Sequence, residues 1–163
     1  MANPPIATID SLDAELVALV KGVSAFNNHG YSVFNVEDLD EKRGRDALPV
    51  VGVAYDGCEI APQDPNKPNV SSMSHKVAMV VMQFSVIVAI QYRHNGESGE
   101  SRATAHELLG DLRKAILGYK GVNSRPWMFV GEQPLPEPSG DGVVYYAQVW
   151  QTTVPSAGNF NQP

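Results

Sequence analysis

A chain of 163 residues with 43% hydrophobic content can bury one substantial core, and it reads as a single domain over 1–163 with its core at about 10–155. A net charge of −6, with twelve basic residues spread thinly, excludes a general nucleic-acid binder, which needs a clustered basic surface. The lone cysteine, Cys58, excludes an internal disulfide, and the opening MANPPIATID has no basic stretch before an apolar core; the expectation is synthesis and folding in a reducing cytoplasm.

The first predicted element is a helix over 11–23. Leu12, Leu16, Leu19, Val20 and Val23 recur at helical spacing, with Asp10 or Ser11 as cap and Asp13 and Glu15 at the positive end of the dipole. A short strand at 31–36 is followed by a run of mixed charge from Glu37 to Asp46. That run reads either as a solvated loop or as an ion-pairing surface for a partner. Its candidate contact residues are Glu37, Asp38, Asp40, Arg43 and Arg45. PVVGVAYDG, 49–57, reads as a strand with Val51, Val53 and Tyr55 on one face, and its Gly52 points to a bulge or a close approach by another backbone. Prolines 62, 65 and 68 then mark an extended loop over 61–70.

VAMVVMQFSVIVAIQYR, 77–93, is apolar enough to raise the question of a membrane span. Its even positions, Ala78 to Tyr92, carry no polar residue, while Gln83, Ser85, Gln91 and Arg93 fall on odd positions. Period two indicates a long strand with one buried face, or two strands joined at a bulge, and not a membrane helix, which needs ~20 uninterrupted apolar residues. After the polar turn HNGESGES comes a helix over 102–121, with Leu108, Leu109, Leu112, Ala115, Ile116 and Tyr119 as its stripe. Thr104 and Glu107 stand at capping-box spacing, with Ser101 as a rival start. PWMFVGE and VVYYAQVWQTTV then flank a loop rich in Pro and Gly, 133–142, giving a long hairpin near the C-terminus. In its second strand both faces carry bulky apolar groups, so the strand is central in its sheet or meets another subunit. SAGNFNQP, 156–163, is a flexible tail. The fold class is therefore α+β: a single antiparallel or mixed sheet with two helices packed on one face.

No pattern supports catalysis. His29, His75, His94 and His106 lack metal-ligand spacing, and Cys58 sits in the acidic DGCE without a neighbouring base. Neither a nucleophile elbow nor a phosphate loop occurs, and Glu97 and Glu100 would repel a phosphate from the glycines of HNGESGES. No catalytic residue, metal ligand or cofactor is assigned. Much apolar strand surface, long Pro/Gly loops and no site are properties of an assembly subunit.

FSVIVAIQYR, then a polar turn, then RATAHELLGDLRKAILGY, then PWMFVGE and DGVVYYAQVWQTTV, resemble the tail-terminator proteins of long-tailed bacteriophages over roughly 10–155. That resemblance implies a non-enzymatic virion protein, assembled in the host cytoplasm. It implies a six-membered ring on the head-proximal end of a finished tail tube, which stops tube growth by steric capping and presents a surface to the neck or head connector. Its partners would be other copies of itself, the tube protein and the neck or connector protein, with a sheath protein as a further one. DNA would only pass through an acidic ring, and no membrane is involved. The interface candidates are then the mixed-charge residues above, Pro62, Pro65 and Pro68, the hairpin residues Pro134 and Pro136, and Tyr145 and Trp150 of the last strand. Two other readings stand beside it: a different neck, head-closure or baseplate component, and a small α+β enzyme or ligand-binding domain with a site assembled from distant residues.

Overall fold

The computed structural model describes residues 7–44, 48–61, 77–91, 98–117, 119, 126–138 and 142–157. The first helix, α1 (Ile9–Lys21), starts two residues earlier than the periodicity predicts, because the cap is Thr8 and not Asp10 or Ser11. Thr8 Oγ1 accepts the Ser11 amide at 3.1 Å while Ser11 Oγ accepts the Thr8 amide at 2.8 Å, a reciprocal capping box that satisfies two otherwise orphaned donors. Leu12, Leu16 and Val20, spaced by four, form its buried stripe. A single 3-10 turn at Ser24–Phe26, followed by Asn27 and Asn28 at positive φ, reverses the chain into a short strand, β1 (Gly30–Ser32).

The mixed-charge run, assigned to a loop from sequence, is helical as far as Arg43. Val36–Arg43 is a helix, α2, capped by Asn35 Oδ1 on the Asp38 amide at 2.9 Å. Its charges run in the order a helix dipole favours, with Glu37 and Asp38 in the first turn and Lys42 and Arg43 in the last. There follow β2 (Val50–Ile60), β3 (Val77–Gln91), α3 (Ser98–Ile116), β4 (Met128–Leu135) and β5 (Val143–Ala157). Helix α3 takes up part of the predicted polar turn, which leaves Thr104 inside the helix instead of at its cap. Strand β4 runs on through Gln133, Pro134 and Leu135, assigned to the loop from sequence, and β5 extends to Ala157, into the predicted tail.

The five strands form one mixed sheet in the order β1-β2-β3-β5-β4. Strand β1 runs parallel to β2, and every other neighbouring pair is antiparallel. The long apolar strand is continuous: β3 pairs with β5 without a break from Val77↔Ala157 to Gln91↔Val143. The register shifts fall on the strands to either side, at Tyr55/Gly57 in β2 and Phe129/Gly131 in β4.

Each face of the sheet has its own core. On one, Phe84, Val86, Val88 and Ile90 of β3, Val51 and Val53 of β2 and Trp150 of β5 pack under Leu12, Leu16 and Val20 of α1 and Leu108, Leu109, Leu112 and Ile116 of α3. The even-numbered face of the long strand is thus buried beneath two helices, as its period predicts. Tyr119, assigned to the same stripe, falls beyond the end of α3 and is exposed. On the other face Leu39 of α2 sits with Val33, Val50, Ala54, Ile87, Ala89, Val143 and Tyr145. A third helix therefore covers part of the face that a two-helix layer leaves open. Gly52 is the close-approach site, but to side chains: a Cβ there would lie 2.8 Å from Val33 Cγ2 and 3.1 Å from Leu39 Cδ1.

Candidate assembly surfaces

The residues singled out from sequence separate into buried and surface groups. Trp150 and Tyr145 are fully buried within the chain itself. The Trp150 ring meets Phe129 edge-on at 5.2 Å, and its indole N–H points to Gln148 Oε1 at 3.4 Å. Their bulk on both faces of β5 reflects its central place between β3 and β4. Arg45, Pro62, Pro65 and Pro68 lie outside the described residues. Pro134, on the outermost strand, and Pro136, just beyond it, are exposed.

The charges of α2 are largely engaged within the chain. Arg43 pairs with Asp40 at 2.8 Å, and the Tyr145 hydroxyl donates to the same carboxylate, which ties the helix to the sheet beneath it. Burial, together with that hydrogen bond to Asp40, pushes the Tyr145 phenol up to about 12. Lys42 reaches the Ser32 carbonyl at 2.6 Å and the Asp38 carboxylate at 3.4 Å. Glu37 and Glu41, four residues apart on one side of α2, remain as exposed carboxylates.

A second polar network fixes α3 to the sheet. Gln148 has no exposed surface; its Nε2 donates to the Leu109 carbonyl at 2.8 Å and to Glu132 at 2.7 Å. Glu132 also receives Arg113 at 2.7 Å, and that guanidinium lies 5.8 Å over the Phe129 ring. Trp127 clamps the other helix, donating its indole N–H to Glu15 of α1 at 2.9 Å. These contacts hold the start of β4 rigid.

That rigid edge is apolar and uncovered. Met128 is 59% exposed and Val130 52%, with Phe129, Leu117 and Tyr119 exposed beside them. The Leu117 backbone bridges Trp127, so the end of α3 lies alongside the start of β4. An edge strand presents unpaired backbone groups, and proteins ordinarily blunt it with charge or proline. Here the second half of β4 carries Glu132 and Pro134, whereas Met128–Val130 has no such protection. At the opposite edge, Phe34 follows β1 and is 89% exposed. Its position before the Asn35 cap would suit a packing contact with the first turn of α2. Leu39 instead points into the sheet, and the Phe34 amide is held by Asp38 Oδ2 at 2.9 Å. Sequence reasoning missed Phe34 and the β4 residues. The available signal was alternation: in YSVFNV, Phe34 falls on the side of Ser32, opposite the buried Val33.

The bulge in β2 opens a shallow depression of about 130 Å³ beside Asp56, Cys58 and Glu59. Of the groups lining it, Asp56 accepts from Ser85 Oγ at 2.6 Å, and Gln151 donates to Gln83 at 2.9 Å. Among the described residues no group of three His, Cys, Asp or Glu side chains converges as a metal site, and no helix is long and apolar enough to cross a membrane.

No curated protein matches the chain. Among solved structures, a chain from a structure titled "Virion of native gene transfer agent (GTA) particle" is 15% identical, with 88% of this chain and 87% of that one covered and a TM-score of 0.43. A sequence model described as "Phage tail terminator protein" matches residues 10–158, all but a few residues of the described fold. The chain belongs to the phage tail terminator protein family, whose members are structural proteins of the virion.

Proposed function

We propose that this protein forms a homohexameric ring on the head-proximal end of a phage tail tube, halts tube polymerisation and offers the joining surface for the neck or head connector. Family membership over residues 10–158 carries the reading. A helical stack of identical subunits has no intrinsic stop, so its length is set by something that occupies the open end. Capping needs shape and affinity, not chemistry, and the protein catalyses no reaction. Its contacts are its own copies, the tube protein, the neck or connector protein and a sheath protein, while DNA passes through the ring. The pre-ordered parts of the fold suit docking. At the β4–β5 turn Glu137 Oε1 accepts the amides of Gly142 at 2.8 Å and Val143 at 3.2 Å, and the exposed Pro136 restricts the same turn. Groups already held in place lose little entropy on binding.

The test is a phage lacking this gene, examined by electron microscopy. Tails of irregular excess length without heads are expected. Tails of normal length joined to heads would overturn the reading, and absent tails would assign the protein to an earlier step such as baseplate assembly.

A further inference from the structure

Resting on the ring reading, we infer that the subunit contact is heterologous: Phe34 at the β1 edge of one copy packs on the apolar start of β4 in the next. Three observations carry this. First, the strand order puts these two exposed apolar features at opposite edges of one sheet. A contact between unlike edges repeats from copy to copy and closes into a ring when the rotation allows; a self-matching contact would stop at a dimer. Second, both features are built to be rigid. The backbone of Phe34 is tied to Asp38, and the receiving edge is braced by the Phe129 contacts with Trp150 and Arg113. An aromatic anchor on a backbone already held loses less conformational freedom on docking. Third, the flanking charges are complementary. Glu37 is exposed in the first turn of α2, three residues on from Phe34, while Lys114, its side chain 83% exposed and paired with Asp111 at 3.5 Å, stands one helical turn before Leu117 at the receiving edge.

The experiment uses two full-length variants, Phe34→Asp and Val130→Glu, with native mass spectrometry and sedimentation as readouts, in solution or on isolated tube ends where assembly needs them. Both positions are exposed, so melting curves should match the wild type. Each variant alone should be monomeric where the wild type forms rings, with the subunit dissociation constant raised on the order of 30-fold or more, as for a central aromatic anchor. Mixed one to one, they should form a dimer and nothing larger, because a single intact contact remains between the good β4 edge of one variant and the good Phe34 of the other.

Rings of wild-type size from either variant would overturn the inference while leaving the ring itself standing. Two monomeric variants that fail to pair on mixing would overturn it too, since each patch would then face something other than its opposite. Variants that form rings but no longer hold tube ends would assign the patches to the tube subunit. A wild type that stays monomeric both in solution and on tube ends would remove the ring reading on which the inference rests.

Discussion

Replacing Gly52 with alanine tests how α2 covers the second face of the sheet. The added Cβ would lie 2.8 Å from Val33 Cγ2, 3.1 Å from Leu39 Cδ1 and 3.3 Å from Val33 Cγ1. Ordinary carbon contacts are about 3.5–4.0 Å, so two side chains must retreat by roughly half an ångström to one ångström. Val33 is β-branched and stiff, and Leu39 rides on a helix tied to the sheet by the bond from Tyr145 to Asp40. Overpacking of this kind costs about 1–3 kcal/mol. Relief of the glycine's backbone entropy returns roughly 0.5–1 kcal/mol, which leaves a net loss. For a chain of this size each kcal/mol lowers the melting temperature by about 2–4 °C, and the expected drop is a few degrees. Thermal denaturation measures the total, while amide hydrogen exchange across Val36–Arg43 locates it: protection there should fall more than in α3. Gly131→Ala is the paired control: its Cβ would meet open space, so it should keep the entropy gain of roughly 0.5–1 kcal/mol and not destabilise. A Gly52→Ala protein as stable as wild type, with α2 equally protected, would refute the packing argument.

Leu112→Ala, at a fully buried position under α3, should destabilise by about 2–5 kcal/mol in chemical denaturation; a change under ~0.5 kcal/mol would mean that the helix face is misassigned. Tyr145→Phe should lower stability at neutral pH by about 1.5–3 kcal/mol, through loss of a hydrogen bond to a charged acceptor. The folded phenol keeps its proton up to about 12, whereas the unfolded one releases it near the usual value of 10. The stabilisation is therefore whole below 10 and lost as pH rises toward 12, and the gap between wild type and Tyr145→Phe should close over that window; a gap independent of pH would contradict the linkage. Gln148→Leu should loosen α3 by removing the bonds to the Leu109 carbonyl and to Glu132, and a double-mutant cycle with Arg113→Ala should return a coupling of about 0.5–3 kcal/mol, with strict additivity as the contrary result.

The legible parts of this fold were those where one physical signal dominated. Period two fixed β3 and its buried even face, because Phe84, Val86, Val88 and Ile90 all belong to the core shared with α1 and α3. The bulky residues on both faces of β5 pointed correctly to a central strand. Helix α2 was misread because charge density was taken as the mark of a loop. Its real signal was order: an Asn cap, acids in the first turn, bases in the last, and one apolar residue, Leu39, to seat it. Without a visible α2, the second core could not be anticipated, and Tyr145 could not be paired with Asp40. The surface candidates were obscured for a different reason. An apolar residue on an edge strand looks the same in sequence as one on an inner strand, and strand order comes from long-range pairing that local pattern does not encode. Met128, Phe129 and Val130 became conspicuous only once β4 proved to be outermost.

The unbroken pairing of β3 with β5 has a mechanical consequence. The two strands run antiparallel over 15 residues each, and the bulges are confined to their outer neighbours. A pull directed along this pair strains all its rungs at once, so none can yield before the rest. A pull directed across it opens them singly from one end, like a zip. The subunit is therefore stiff along one axis and peelable along another. Whichever neighbours grip it, the load it can transmit depends on how closely their line of force follows β3 and β5.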